Sequence, residues 1–241
     1  MWQTSRTLIK ENDMKDKYNL TLEQNLFLAK KLIVDTIYCG IRMEGSRMTF
    51  PETQTILQGV NVPNASLDDI QAILNMRDAW KYVLSTINEP ISLELICKVN
   101  EFVARNESLE WGKLRYGKVG ISGTNYIPEI PKEPNVRSHL NKILQGNSSE
   151  TEKAITYFLW GARSQLFWDG NKRTSLIIAN KILIMAGKGI LVIPDSQITT
   201  FNQLLTNFYE TNSYPGICNF LYEKGIKGIE LQKERWNQPE P

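Results

Sequence analysis

The chain has 241 residues, 41% of them hydrophobic, enough for one sizeable core without disulfide staples. Its 28 basic and 26 acidic side chains leave a formal charge of +2, which lacks the basic excess of a nucleic-acid binder, and no apolar run is long enough to cross a bilayer. Cys39, Cys97 and Cys218 are odd in number and lack metal-ligand spacing, so they read as buried thiols of a reducing compartment; with no signal-like segment at the N-terminus, the expectation is a soluble cytoplasmic protein.

In chain order, Thr21 and Gln24 form a capping box, and Leu22, Phe27, Leu28, Leu32, Ile33 and Ile37 follow at helical spacing, which predicts a helix ending near Gly45. Ser66 caps a second helix, with Ile70, Ile73, Leu74, Ala79 and Val83 on one side, and a third runs from Ser92. Residues 112–131, "GKLRYGKVGISGTNYIPEIP", change character: close glycines with alternating Val119, Ile121 and Ile127 predict a short β-hairpin, and "ILVIP" at 190–194 is the other β candidate. A helix around His139, a helix with Ala154, Ile155, Phe158, Leu159, Ala162 and Leu166 in register, and a nearly all-apolar central helix closed by Gly187 come next. Two helical runs, from Gln197 and from Pro215, finish the chain.

Between the last two core helices the apolar pattern stops for Asp169-Gly170-Asn171-Lys172-Arg173. The first turn of a buried helix leaves backbone N–H groups without partners, and Gly170 lets an anion approach them. Lys172 and Arg173 add positive charge, Asn171 offers an amide donor, and Asp169 is a hard ligand for Mg²⁺ bridging phosphates. The same five residues also suit an ordinary helix-linking turn with two solvated cations.

In "RSQLFWDGNKRTSL", Phe167, Asp169, Gly170, Asn171, Lys172 and Arg173 stand in register with the signature His-x-Phe-x-(Asp/Glu)-Gly-Asn-(Gly/Lys)-Arg, and on these residues the chain resembles the Fic/Doc (Fido) family. Residues 112–131 are similar to that family's flap, with Gly123 and Thr124 at its turn. Residues 40–59, "GIRMEGSRMTFPETQTILQG", are similar to the inhibitory segment of one subgroup, with Glu44 as the inhibitory carboxylate. The likeness covers roughly residues 30–215.

The resemblance implies an all-α fold, a Fic-type helical bundle with a short β-hairpin flap beside the signature loop. It also implies AMP transfer from ATP, with Mg²⁺, to a Ser, Thr or Tyr hydroxyl of a target protein docked on the flap. By position, Asp169 would hold the metal and Gly170, Asn171, Lys172 and Arg173 the phosphates. Gln165 stands where the general-base histidine belongs, and an amide cannot serve as base near neutrality. Leu176 replaces the second signature arginine, so Glu44 is expected to lack its usual partner, and Gly40 replaces the Ser/Thr of the inhibitory motif. Glu44 reads equally as a helix-terminal residue beside a C-cap glycine.

The expected protein is therefore a Fic-type adenylyltransferase with a degenerate site. The alternative is a catalytically silent module that binds nucleotide or a protein, and phosphate transfer in the manner of Doc, suggested by Lys172, ranks third. The only histidine, His139, falls outside the motif. The expected division is an N-terminal arm over 1–20, a helical region with the inhibitory-type segment over 21–90, a core with flap and signature over 91–215, and a helical tail over 216–241, all in one unit. Neither membrane nor nucleic acid is an expected partner, and a homodimer stays open.

Overall fold

The stretch that is apolar almost all round forms the axle of the molecule. In the computed structural model, which describes residues 14–229, it is helix α8 (Asn171–Ala186), whose only unburied residues are Lys172, Met185 and Ala186. Gly187 ends it in the left-handed region (φ +70°), where a side chain would also strike the Leu20 backbone. Helix α7 (Glu150–Ser164) lies directly against α8, because Gly161 lacks the Cβ that would collide with Ser175. Truncating any fully buried Leu or Ile of α8 to Ala would cost about 2–5 kcal/mol.

Around this pair pack α1 (Leu22–Lys31), α2 (Ile33–Met43), α3 (Phe50–Leu57), α4 (Leu67–Ser85), α5 (Leu93–Val103) and α6 (Glu133–Leu144), and later α9 (Ile198–Thr211) and α10 (Pro215–Phe220). The expected all-α class holds. Thr21, Ser66 and Ser92 each cap a helix as their spacing predicts. Among the described residues no helix is long and apolar enough to cross a membrane. Cys39 and Cys218 are buried and Cys97 is half-buried, all three as free thiols.

Buried polar side chains tie the bundle together. Asn25 brackets Gly189 through both its N–H and its C=O, and Asn180 does the same for Leu191. Lys181 has no exposed surface; its Nζ donates to the carbonyls of Thr86 (2.6 Å) and Ile87 (3.1 Å) at the end of α4, and burial pulls its pKa down to about 8.

Several expectations about local structure change. The helix expected from Thr21 to Gly45 is broken at Leu32 (φ −96°, ψ 14°) into α1 and α2. Residues 113–131 contain no strand: Pro128 and Pro131 lack donors, and the loop's carbonyls are taken by a side chain instead of by a facing strand. The small antiparallel sheet lies elsewhere, pairing β1 (Ile190–Leu191, within "ILVIP") with β2 (Ile226–Lys227). The last helical run accordingly stops early, through a π-turn at Leu221–Gly225, and becomes that strand. Of the N-terminal arm, residues 1–13 lie outside the described residues, as do residues 230–241 of the tail. Residues 14–20 pack on the bundle, where Asp16 accepts from both the N–H and the hydroxyl of Thr151.

Candidate functional site

The site begins where α7 ends. Gln165 takes a left-handed conformation (φ +47°) and turns the chain into a loop that returns at Gly170 (φ +71°), the N-cap of α8. Glycine is required there twice over, by its φ and because a Cβ would lie 2.7 Å from Val103. Asn100 of α5 fastens the loop from behind, donating to the Asp169 carbonyl (3.0 Å) and Thr174 Oγ1 (3.2 Å) and accepting from the Gly112 N–H (2.9 Å).

Asn171 is spent on the loop itself. Its Oδ1 accepts from the Phe167 N–H (2.9 Å), and its Nδ2 donates to Phe167 O (2.9 Å) and Gln165 Oε1 (3.0 Å). Both amide hydrogens are therefore used, which leaves none for the phosphate contact expected of it. Gln165 completes the knot by donating from Nε2 to Ala162 O (2.7 Å), so its amide is an internal clamp. The backbone offers more: no side chain caps α8, and the N–H groups of Asn171, Lys172 and Arg173 precede the first intrahelical bond, from Thr174 N to Gly170 O. Asp169 stands half-exposed beside them.

The two cations of the turn face carboxylates. Lys172 Nζ lies 2.8 Å from Glu44 Oε2 and also donates to Met43 O (2.8 Å), closing the C-terminus of α2. Arg173, with 4% of its side chain exposed, meets Glu107 (Nη1 to Oε2, 2.8 Å), Asp169 (Nη2 to Oδ1, 3.6 Å) and Glu44 (Nε to Oε1, 3.8 Å). Burial works against its charge, but the carboxylates of Glu44 and Glu107 outweigh that and hold its pKa above the ordinary arginine value. As expected, Leu176, fully buried in the core, gives Glu44 no partner, and Lys172 with Arg173 at longer range takes that place. A Cβ at Gly40 would lie 2.5 Å from Met76 Cε, so a Ser or Thr there would have to displace the end of that methionine. On the far side of Arg173 a cleft of about 430 Å³ opens between Glu44, Asp68, Asp69 and Glu107.

Residues 112–131 fold as an ordered loop over the other side. Arg115, 1% exposed, spans it: Nη1 donates to Gly117 O (2.6 Å), Nη2 to Glu129 O (2.6 Å), and Nε to Gln165 O (2.5 Å). Trp168 packs edge-on to Tyr116 (5.3 Å) and against Gly117, where a Cβ would lie 2.5 Å from its ring. The far limb reaches α9 and α7, with the Asn125 N–H on Glu210 and the Tyr126 ring under the Arg163 guanidinium (3.7 Å). Gly123 and Thr124 form the turn, closed by Thr124 N on Ile121 O (3.2 Å).

His139, on α6, stacks on Trp160 of α7 (4.8 Å). Asn75, Asn100, Glu107 and Arg115 escaped the sequence reading. A polar residue inside an apolar helix, as Asn100 is in "LICKVNEFV", is the one signal that could have flagged any of them.

Residues 90–183 match the model of the Fic/DOC family. The chain is 26% identical over 211 residues to "Protein adenylyltransferase Fic" of Drosophila melanogaster, covering 84% of this chain and 42% of that protein. It is 25% identical over 238 residues to the protein of the same name from Drosophila virilis, covering 94% and 48%. The chain therefore spans less than half the length of these curated relatives. In fold it is similar to a Fic-domain-containing signalling protein of Bacteroides thetaiotaomicron (TM-score 0.65, 20% identity, 77% of this chain and 75% of that one). It is similar also to a Fic-1 segment of C. elegans (TM-score 0.64, 20% identity, 81% and 60%). Residues 90–183 thus match the Fic/DOC family's model, and the fold around them is similar to that of other Fic proteins.

Proposed function

We propose that the chain is a protein adenylyltransferase of low intrinsic rate, which binds ATP at the turn from Asp169 to Arg173 and passes AMP to a Ser, Thr or Tyr hydroxyl of a target protein held along residues 112–131. The observation that carries this reading is the open N-terminus of α8, with uncapped N–H groups, two cations and a half-exposed carboxylate on one turn. Asp169 would supply the one protein ligand of an ion whose other ligands come from phosphate and water, as Mg²⁺ prefers. When bound, that ion would neutralise phosphate charge.

In the reaction the hydroxyl oxygen bonds to the α-phosphorus, the bond to the β-phosphate oxygen breaks, and pyrophosphate leaves. The hydroxyl proton goes to solvent, because the Gln165 amide is neither basic nor free. Loss of a general base lowers the rate by about 10²–10⁴, while positioning and charge stabilisation remain. The target is a protein reached through the loop's backbone and is not identified by it. Free thiols suit a reducing compartment, so we place the reaction in the cytoplasm.

Purified protein incubated with Mg²⁺ and ATP labelled at the α-phosphate tests this. Label on protein, abolished by Asp169→Ala, is the expected result. Binding of ATP without label under any condition would favour the second reading, a silent nucleotide-binding module, for which the locked Gln165 amide speaks. Label from the γ-phosphate alone would select phosphate transfer.

A further inference from the structure

The guanidinium of Arg173 is held in a lopsided way. Only Nη1 is hydrogen-bonded, to Glu107 Oε2 (2.8 Å) and, at the limit, to Val103 O (3.5 Å). Its other edge, formed by Nε and Nη2, has carboxylates at 3.8 Å (Glu44) and 3.6 Å (Asp169), beyond hydrogen-bonding distance, and Nε is a buried donor without an acceptor. An orphaned donor on a side chain 4% exposed is costly, and its cost is removed when an acceptor oxygen arrives. The Nε–Nη2 edge is the fork that receives two oxygens of a phosphate side by side.

Glu107 is itself steered. Its Oε1 accepts from Asn75 Nδ2 (2.6 Å), and that amide is fixed by Arg105 O (2.8 Å) and by Gln71, which donates to Asn75 Oδ1 (2.8 Å). Glu107 thus approaches Arg173 at Nη1, the end away from the Asp169 turn, while Glu44 and Asp169 sit toward the open edge.

We infer that Asn75 and Glu107 form a positioning relay that grips Arg173 by Nη1 and presents its Nε–Nη2 edge to a phosphate chain at the N-terminus of α8. Glu107 acts through Arg173 and touches no ligand, and Asn75 acts through Glu107. This deepens the nucleotide reading above and rests on it.

The test uses inorganic tripolyphosphate with Mg²⁺, titrated by calorimetry into the Glu44→Gly variant, where the competing carboxylate is gone. Adding Glu107→Gln should weaken binding at least tenfold, and Asn75→Ala, which leaves Glu107 in place, should weaken it by less. In a Glu44→Gly, Arg173→Met background the Glu107→Gln change should have no further effect, a non-additivity that a merely structural role would not produce. Unchanged or tighter binding on Glu107→Gln, or equal loss with and without Arg173, overturns the relay alone. Failure of Glu44→Gly itself to bind tripolyphosphate overturns the anion site, and the relay with it. If Glu107→Gln does not fold, Asn75→Ala decides by the same comparison.

Discussion

Glu44 Oε2 lies 2.8 Å from Lys172 Nζ, and the same ammonium donates a second tie to the α2 end, at the Met43 carbonyl. One lysine on the first turn of α8 thereby closes the last turn of α2 and pairs with Glu44. A phosphate chain at that turn must compete with Glu44 for Lys172 and for the free edge of Arg173. Replacing Glu44 with Gly should tighten Mg-ATP binding by about tenfold, within the span of 5–150-fold that couplings of 1–3 kcal/mol produce. Isothermal calorimetry on the two proteins measures it, and equal affinities would show that the carboxylate does not compete.

Gln165 carries the loop more than the chemistry. Histidine at 165 would surrender the bonds to Ala162 O and Asn171 Nδ2, leaving a buried amide hydrogen of Asn171 without its acceptor. Gln165→His should lower stability by about 1–3 kcal/mol, read from denaturant unfolding. If the remaining residues are competent, it should also raise AMP transfer by about 10²-fold or more. Destabilisation without any gain in transfer would mean that the site departs from a working geometry at more than this residue.

Much of this was legible in the sequence and some was not, for a physical reason. Helix α8 was readable because its partners surround it, so apolar residues recur on all its faces, and the caps at Thr21, Ser66 and Ser92 are local chemistry. The Thr49-x-x-Glu52 stretch is local too: it is a capping box opening α3. The partners of Glu44 were not legible, because Lys172 is 128 residues away and spacing carries no information about such a meeting. The hairpin expected at 112–131 failed for another reason. Its alternating residues bury no common face, with Ile127 64% exposed, so period-two spacing had no sheet behind it, and a single arginine orders the segment instead.

His139 offers a pH measurement free of overlap, being the only histidine. Burial against Trp160, then the charge of Lys142, lowers its pKa below the ordinary 6.5. The unfolded chain therefore takes up this proton at higher pH than the folded one. The stability His139 contributes is complete above pH 6.5 and is lost as the pH falls from there through the folded pKa. The single imidazole signal in an NMR titration should move with a midpoint below 6.5, and His139→Phe should flatten the acid side of the stability profile. A midpoint at or above 6.5 would contradict the burial seen here.

Arg115 is the last residue whose role can be measured directly. It is buried without a carboxylate partner, and desolvation lowers its pKa from the arginine norm, yet its three nitrogens all donate to carbonyls. Those carbonyls belong to both limbs of the 112–131 loop and to Gln165, so one side chain joins that loop to the end of α7. Arg115→Met keeps much of the apolar stem and removes all of these bonds, leaving backbone oxygens short of donors. Hydrogen exchange should rise at least tenfold across residues 116–130 while protection in α8, held by its own apolar packing, stays within twofold. Uniform loss of protection would make Arg115 a general core residue, and unchanged exchange in the loop would mean that Trp168, Glu210 and Arg163 hold it without help.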